Sequence, residues 1–173
     1  MMTLDTACYH HPWAQFDLYL QKGTQAGIDR SVVEALAGVN CTLQEIWFDP
    51  HTFFKWTPFG AFAAENMTKL LKGQYRKPMM AKLVGMAAMW KNGGWLLDTD
   101  VMVLRNLTNL HNVAGYQTCD GKQVDSEVIQ VKKRAPFLKH IASVLQESPL
   151  TELRESHSTS FSRALYGAWA WGM

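Results

Sequence analysis

No apolar run in this chain approaches the roughly 18 residues that a bilayer-spanning helix needs, so no segment reads as a transmembrane helix. The N-terminus lacks the basic start, apolar middle and small-residue end of a secretory signal. Charge is sparse. Asp, Glu, Lys and Arg make up 18% of the residues and the net charge is +2, which leaves no basic stripe for a polyanion and no reason to expect a nucleic-acid partner. The clusters Lys69-Leu70-Leu71-Lys72 and Lys132-Lys133-Arg134 read as solvated faces. The three cysteines, Cys8, Cys41 and Cys119, have no zinc-site spacing. One disulfide with a leftover thiol and three reduced thiols both remain open. Internal repeats and low-complexity linkers are absent too.

What is present is core material. At 173 residues and 47% hydrophobic content, the chain suits one globular domain, residues 1–173. Residues 3–11 read as a short helix stopped by Pro12. Phe16, Leu18 and Leu20 alternate as one face of a strand over 16–20. Asp29 suits the N-cap of a helix running to Ala37. Residues 43–48 form a second strand, followed by an aromatic loop holding Trp47, Phe48, Phe53, Phe54, Trp56 and Phe59. Helices follow over 65–72 and from Met79 to Lys91, the second with Leu83, Met86, Ala87 and Trp90 facing inward. Strands are expected over 95–104, 113–116 and 128–131. Pro136 fits a helix first turn, with Phe137, Ile141, Val144 and Leu145 on its buried face. A last helix is expected from about Ser160 to Trp169. Strands alternating with helices predict an α/β fold with a mostly parallel sheet.

The stretch richest in chemistry runs Met89-Trp90-Lys91-Asn92-Gly93-Gly94-Trp95-Leu96-Leu97-Asp98-Thr99-Asp100-Val101. An apolar helix stops at a glycine pair, three large apolar residues follow, and then come two aspartates one residue apart. In an extended strand Asp98 and Asp100 leave the same face. Two carboxylates there are costly unless a positive group lies between them. A divalent cation that holds a substrate's phosphates meets that need. A bare Asp-x-Asp is ordinarily a satisfied loop aspartate or an Asx-turn; the apolar strand and the Gly-Gly turn before it favour the functional alternative. The expected site lies at the carboxyl end of strand 95–100, where open α/β sheets bind ligands.

Met89-Trp90-Lys91, Gly93-Gly94, Leu97-Asp98-Thr99-Asp100 and Val103-Leu104-Arg105-Asn106-Leu107 together resemble the sugar-nucleotide-binding region of the α1,4-glycosyltransferases, the family of α1,4-galactosyltransferases and α1,4-N-acetylglucosaminyltransferases. Looser similarity covers Asp5-Thr6-Ala7 with His11-Pro12, Phe16 to Leu20, and Phe53 to Pro58. The resemblance implies a GT-A (Rossmann-like) fold. It implies Mn²⁺-dependent transfer of a hexose or N-acetylhexosamine, galactose or N-acetylglucosamine, from a UDP-sugar to a glycan or glycolipid. Asp98 and Asp100 would form the metal site, Asp100 in direct contact and Asp98 contacting the ribose or a metal-bound water. Gly93 and Gly94 would permit a tight turn and a close backbone approach at the donor, Gly93 otherwise being a plain helix C-cap. Trp95 would line the donor pocket or fill the core. Asp125 or Glu127 would orient the transferred sugar or stabilise an oxocarbenium-like centre, and otherwise each is a solvated loop acid. Arg163 would contact phosphate. The family is Golgi-resident and held in the membrane by an N-terminal anchor that this sequence does not contain.

Three departures bear on that expectation. The family's Ser-Asp-x-x-Arg, which helps hold the nucleotide, is replaced here by Ala81-Lys82-Leu83-Val84-Gly85. The resemblance also expects a strand before the first helix and a longer stretch after Arg163, so it implies a fold incomplete at both ends. An inactive fragment that retains a binding role is therefore the alternative to an enzyme. The sequons Asn40-Cys41-Thr42, Asn66-Met67-Thr68 and Asn106-Leu107-Thr108 mildly favour the secretory route. A glycan on Asn106 would have to point away from the donor site.

Overall fold

Thr3, Ala7 and Cys8 recur at helical spacing, and they are the buried stripe of helix α1, Met2–His10. The helix ends where expected. His11 N–H still reaches Ala7 O at 2.8 Å, Pro12 follows, and Trp13 turns the chain with a left-handed φ of 78°. The computed structural model describes residues 2–23, 34, 40–72, 76–116 and 124–147. The helix expected at 29–37, apart from residue 34, and the helix expected at 160–169 lie outside the described residues, as do Cys119 and Arg163. The chain divides into two units, Met1–Phe53 with Leu97–Leu110, and Phe54–Leu96 with the residues from His111 onward.

In the first unit, strands β1 (Gln15–Gln21) and β2 (Thr42–Phe48) pair in parallel, with Gln15 opposite Thr42 and Gln21 opposite Phe48. Both expected strands are present and each extends slightly further than the sequence pattern alone required. A disulfide joins Cys8 in α1 to Cys41 just before β2. It is buried among Leu4, Ala14, Phe16 and Leu43. Closing a loop with a sequence separation of 33 restricts the unfolded chain by about 3–4 kcal/mol on an entropic account. The short helix α2, Pro50–Phe53, follows, its start capped by Asp49 Oδ1 accepting from His51 N–H at 2.9 Å. The Phe53 ring packs against Phe48 and Tyr19 at centroid distances of 4.9 and 5.6 Å. Residues 98–110, also in this unit, have no regular secondary structure.

The second unit holds helices α3 (Gly60–Lys72), α4 (Arg76–Asn92) and α5 (Pro136–Glu147) and a three-stranded sheet. Helix α3 begins earlier than expected. Phe62, Ala63, Met67 and Leu70 form its buried face, and it packs on both α4 and α5. Helix α4 buries Leu83, Val84, Met86, Ala87, Ala88 and Met89, a breadth of apolar surface that marks it as a core helix. In α5 the buried residues are Leu138, Ile141, Ala142 and Leu145; Phe137 and Val144, expected there as well, are half-buried. The sheet order is β3 (Gly94–Leu97), β5 (Val124–Val131), β4 (Val113–Tyr116). Strands β4 and β5 run antiparallel.

The α/β class is therefore borne out in its coarse form, helices with small sheets. A mostly parallel sheet is not what the described residues form: one sheet has a parallel pair and the other contains an antiparallel one. A second correction concerns strand 95–104. The extended run stops at Leu97, because Asp98 Oδ1 captures the Thr99 N–H at 2.7 Å. A side chain that bonds its own backbone in this way competes with the ladder and turns the chain. Val101 to Leu104 lie in the irregular stretch, not in a strand.

Candidate functional site

The residue that ends β3 also fixes the geometry of the aspartate pair. Asp98, Thr99 and Asp100 form a turn closed by Val101 N–H donating to Asp98 O at 3.3 Å. All three side chains are exposed. The two aspartates therefore stand on a turn and not on one face of a strand, and the expected strand-end arrangement is corrected on that point. Asp98 spends Oδ1 on Thr99, accepting from its N–H and, at 3.5 Å, from its hydroxyl. Both Asp98 and Asp100 are exposed to water.

No cluster of three or more His, Cys, Asp or Glu suited to a metal occurs among the described residues. The turn thus offers two carboxylates and no closed cage. This suits a hard divalent ion that keeps waters and takes its other ligands from substrate phosphates, the usual mode of Mg²⁺-like cations. Carboxylate oxygens such as those of Asp98 and Asp100 are the ligand type such an ion takes.

The glycine pair precedes the turn in the second unit. Gly93 N–H reaches Met89 O at 2.7 Å, so Gly93 does close helix α4, with φ +75°. A Cβ on Gly93 would stand 2.8 Å from Lys133 N and 3.3 Å from Val131 O. Its close backbone approach is to the end of β5. Gly94 also has positive φ, +103°, but open space where its Cβ would be. Trp95 is half-buried on β3. Lys91, in the same motif, is half-buried, and burial lowers its pKa.

Asp125 and Glu127 are strand residues on β5, not loop acids. Both are half-buried, and Asp125 Oδ1 accepts from Glu127 N–H at 2.9 Å. Between them Ser126 is buried and its hydroxyl accepts from Lys82 Nζ at 2.6 Å. Lys82 stands in the stretch that replaces the expected Ser-Asp-x-x-Arg, so its ammonium is directed to the strand that carries the two acids. Gly93 abuts the opposite end of that strand from Asp125, a separation of roughly 20 Å of extended chain. Sequence reasoning missed the Lys82–Ser126 pair. Its one signal was a lone lysine among the inward-facing residues of a core helix.

The comparisons with known proteins agree in direction. The chain is 32% identical to human lactosylceramide 4-alpha-galactosyltransferase over 121 residues, 68% of this chain and 33% of the relative. The mouse protein of the same name is 29% identical over the same share of this chain. An uncharacterized protein of Arabidopsis thaliana is 39% identical over 59 residues, 34% of this chain and 9% of that protein. The chain spans about a third of the length of the galactosyltransferases it matches. No family model matches the chain, and no solved structure does.

Proposed function

The chain is a relative of the α1,4-glycosyltransferases over 68% of its length, and from that premise we propose that it carries the donor-binding part of a metal-dependent glycosyltransferase with a GT-A-like fold. The donor would be a UDP-sugar, galactose first, and the acceptor a glycolipid or glycan. The single observation that carries the reading is the Asp98-Thr99-Asp100 turn with its carboxylates exposed, in a chain related to a galactosyltransferase.

In this reading a C1–O bond to the nucleotide diphosphate breaks and a C1–O bond to the acceptor forms, UDP leaves with the bonding pair, and the acceptor hydroxyl's proton is released to water. A divalent cation of the Mn²⁺ type, when bound, neutralises charge that develops on the leaving diphosphate. Asp100 would hold that cation directly. Asp98, with one oxygen committed to Thr99, contributes the other to the ribose or to a metal-bound water. Gly94, unhindered on its Cβ side, and Trp95 border the donor. Asp125 or Glu127 orients the transferred sugar; Asp125 suits this because its carboxyl is already held by the backbone of Glu127. The site of action would be the Golgi lumen, consistent with a buried disulfide. No helix among the described residues is long and apolar enough to cross a membrane.

A second reading has one specific observation in its favour. Ala81-Lys82-Leu83-Val84-Gly85 lacks the acid and the arginine of the nucleotide clamp, and Lys82 bonds Ser126. A non-catalytic domain that binds sugar or metal weakly would keep the fold and tolerate that loss. Calorimetric titration of UDP into the purified chain, with and without Mn²⁺, separates the two. Mn²⁺-dependent binding that disappears in Asp100→Ala supports the enzyme. A folded chain with no such binding leaves only the second reading.

A further inference from the structure

The stretch from Val101 to Leu110 has neither helix nor strand, so its backbone N–H groups have no ladder to satisfy them. They are satisfied, at two points, by side chains nearly a hundred residues away. Val103 N–H donates to Thr6 Oγ1 at 3.0 Å, and Leu107 N–H donates to His11 Nε2 at 3.0 Å. Between them Asn106 Nδ2 donates to His10 O, also at 3.0 Å. That carbonyl belongs to the last turn of α1, where helix carbonyls lack intrahelical partners. The Val103 side chain is buried at the same place. The donors lie only three to seven residues beyond Asp100.

We infer that Thr6 and His11 are positioning residues for the Asp98–Asp100 turn, fastening the strap that follows it to the end of helix α1. The inference rests on the donor-binding reading of that turn. The chemistry of each fastening is complete. Thr6 donates its own hydroxyl proton to Met2 O at 2.8 Å, which leaves an Oγ1 lone pair aimed at Val103 N–H. His11 accepts at Nε2, so its ring is neutral with the proton on Nδ1. Burial first, and the nearby charge of His10 second, lower the His11 pKa and favour that form. Asn106 fixes its own orientation by accepting Thr108 N–H at 2.8 Å through Oδ1, so the sequon asparagine serves as the middle tie. Helix α1 is in turn joined to the start of β2 by the Cys8–Cys41 disulfide. A continuous path of bonds thus runs from the parallel strand pair to within about 10 Å of chain from Asp100. The turn's own bonds reach only to Val101, so the irregular segment beyond it needs the outside ties against the entropy of ordering it.

The test uses the full chain with Thr6→Val and His11→Phe, and with Thr6→Ser and His11→Gln, which keep an acceptor at each place. Hydrogen exchange is read on peptides covering 97–110 and 124–131, beside Mn²⁺-dependent UDP titration. We expect Thr6→Val and His11→Phe to speed exchange in 97–110 by about tenfold or more, to leave 124–131 unchanged, and to weaken Mn²⁺-dependent UDP binding. Thr6→Ser and His11→Gln should restore both readouts. Unchanged exchange in 97–110 overturns the inference, and so does equal acceleration in both peptides, which is general destabilisation. A loosened strap with unaltered UDP affinity overturns the positioning role. Failure of the donor reading is distinguishable, because the wild-type chain would then bind no UDP while exchange still reports the fastening.

Discussion

The two pairs of candidate acids are held in opposite ways. Asp98 and Asp100 sit on an exposed turn closed by its own bonds and followed by a strap that Thr6 of α1 and His11 just after it fasten. Asp125 and Glu127 sit on the middle strand of a sheet, half-buried, with Ser126 between them tied to Lys82. A turn of this kind can adjust to an incoming ion and its phosphates. A central strand cannot move without disturbing both neighbours, so it suits groups that must hold a fixed direction. The difference suggests ion capture for the first pair and orientation for the second.

The sharpest way to break that comparison is to remove charge from each pair. Asp100→Asn should lower Mn²⁺-dependent UDP affinity by at least about 100-fold with little change in thermal stability, since the side chain is exposed. Asp125→Asn should do the reverse in function. The amide oxygen can still accept from Glu127 N–H, so the fold and UDP binding should persist while sugar transfer falls. Calorimetry and a transfer assay on both variants check this, and equal effects on UDP binding would remove the division of roles.

The next largest effect concerns the covalent end of the path that orders the turn. Cys8→Ser should cost about 3 kcal/mol of stability, within the usual 2–5 kcal/mol for a lost native disulfide. Denaturant unfolding with and without reductant measures it. Wild type under reducing conditions should approach the variant, and hydrogen exchange should rise in 97–110.

Gly93→Ala acts on the other region. A Cβ there meets Lys133 N at 2.8 Å, and a positive φ disfavours any side chain. The two effects together should cost about 2 kcal/mol, visible as a lower denaturation midpoint. Faster exchange should appear in 124–131 and not in 97–110. Gly94→Ala, which has the strained φ but no clash, should cost about 1 kcal/mol.

Much of this fold was legible in sequence because its signals are local. Leu83, Met86 and Ala87 at helical spacing identified α4, Pro136 marked the start of α5, and Gly93 after Met89-Trp90-Lys91 marked the C-cap. The end of β3 was missed because period-2 alternation continues through Asp98 and Asp100, whereas a single side-chain bond from Asp98 to Thr99 stops the strand. The disulfide could not be assigned, since three cysteines allow several pairings and the choice depends on where α1 lies beside β2. Thr6 and His11 were legible only as members of the Asp5-Thr6-Ala7 and His11-Pro12 resemblance. Their partners Val103 and Leu107 lie 97 and 96 residues away, and one sequence contains no record of such pairs.

The smallest expected effect is a dependence on pH that belongs to the turn's region and not to the sheet. His11 must be neutral to accept from Leu107 N–H. Its pKa is lowered by burial and then by His10, so folding favours the neutral ring. In the unfolded chain the same group binds its proton at an ordinary value near 6.5. The unfolded state therefore takes up more protons as pH falls through that region. The His11 contribution is complete above the unfolded pKa and is lost as pH drops through the lowered folded value. Exchange in 97–110, corrected for its intrinsic pH dependence, should accelerate as pH falls below the ordinary histidine value, while 124–131 should not follow. The decisive comparison is with His11→Gln, whose acceptor does not protonate in this range. That variant should flatten the strap's response. A response that persists in His11→Gln would place the acid sensitivity elsewhere and leave the Leu107 bond without a titrating partner.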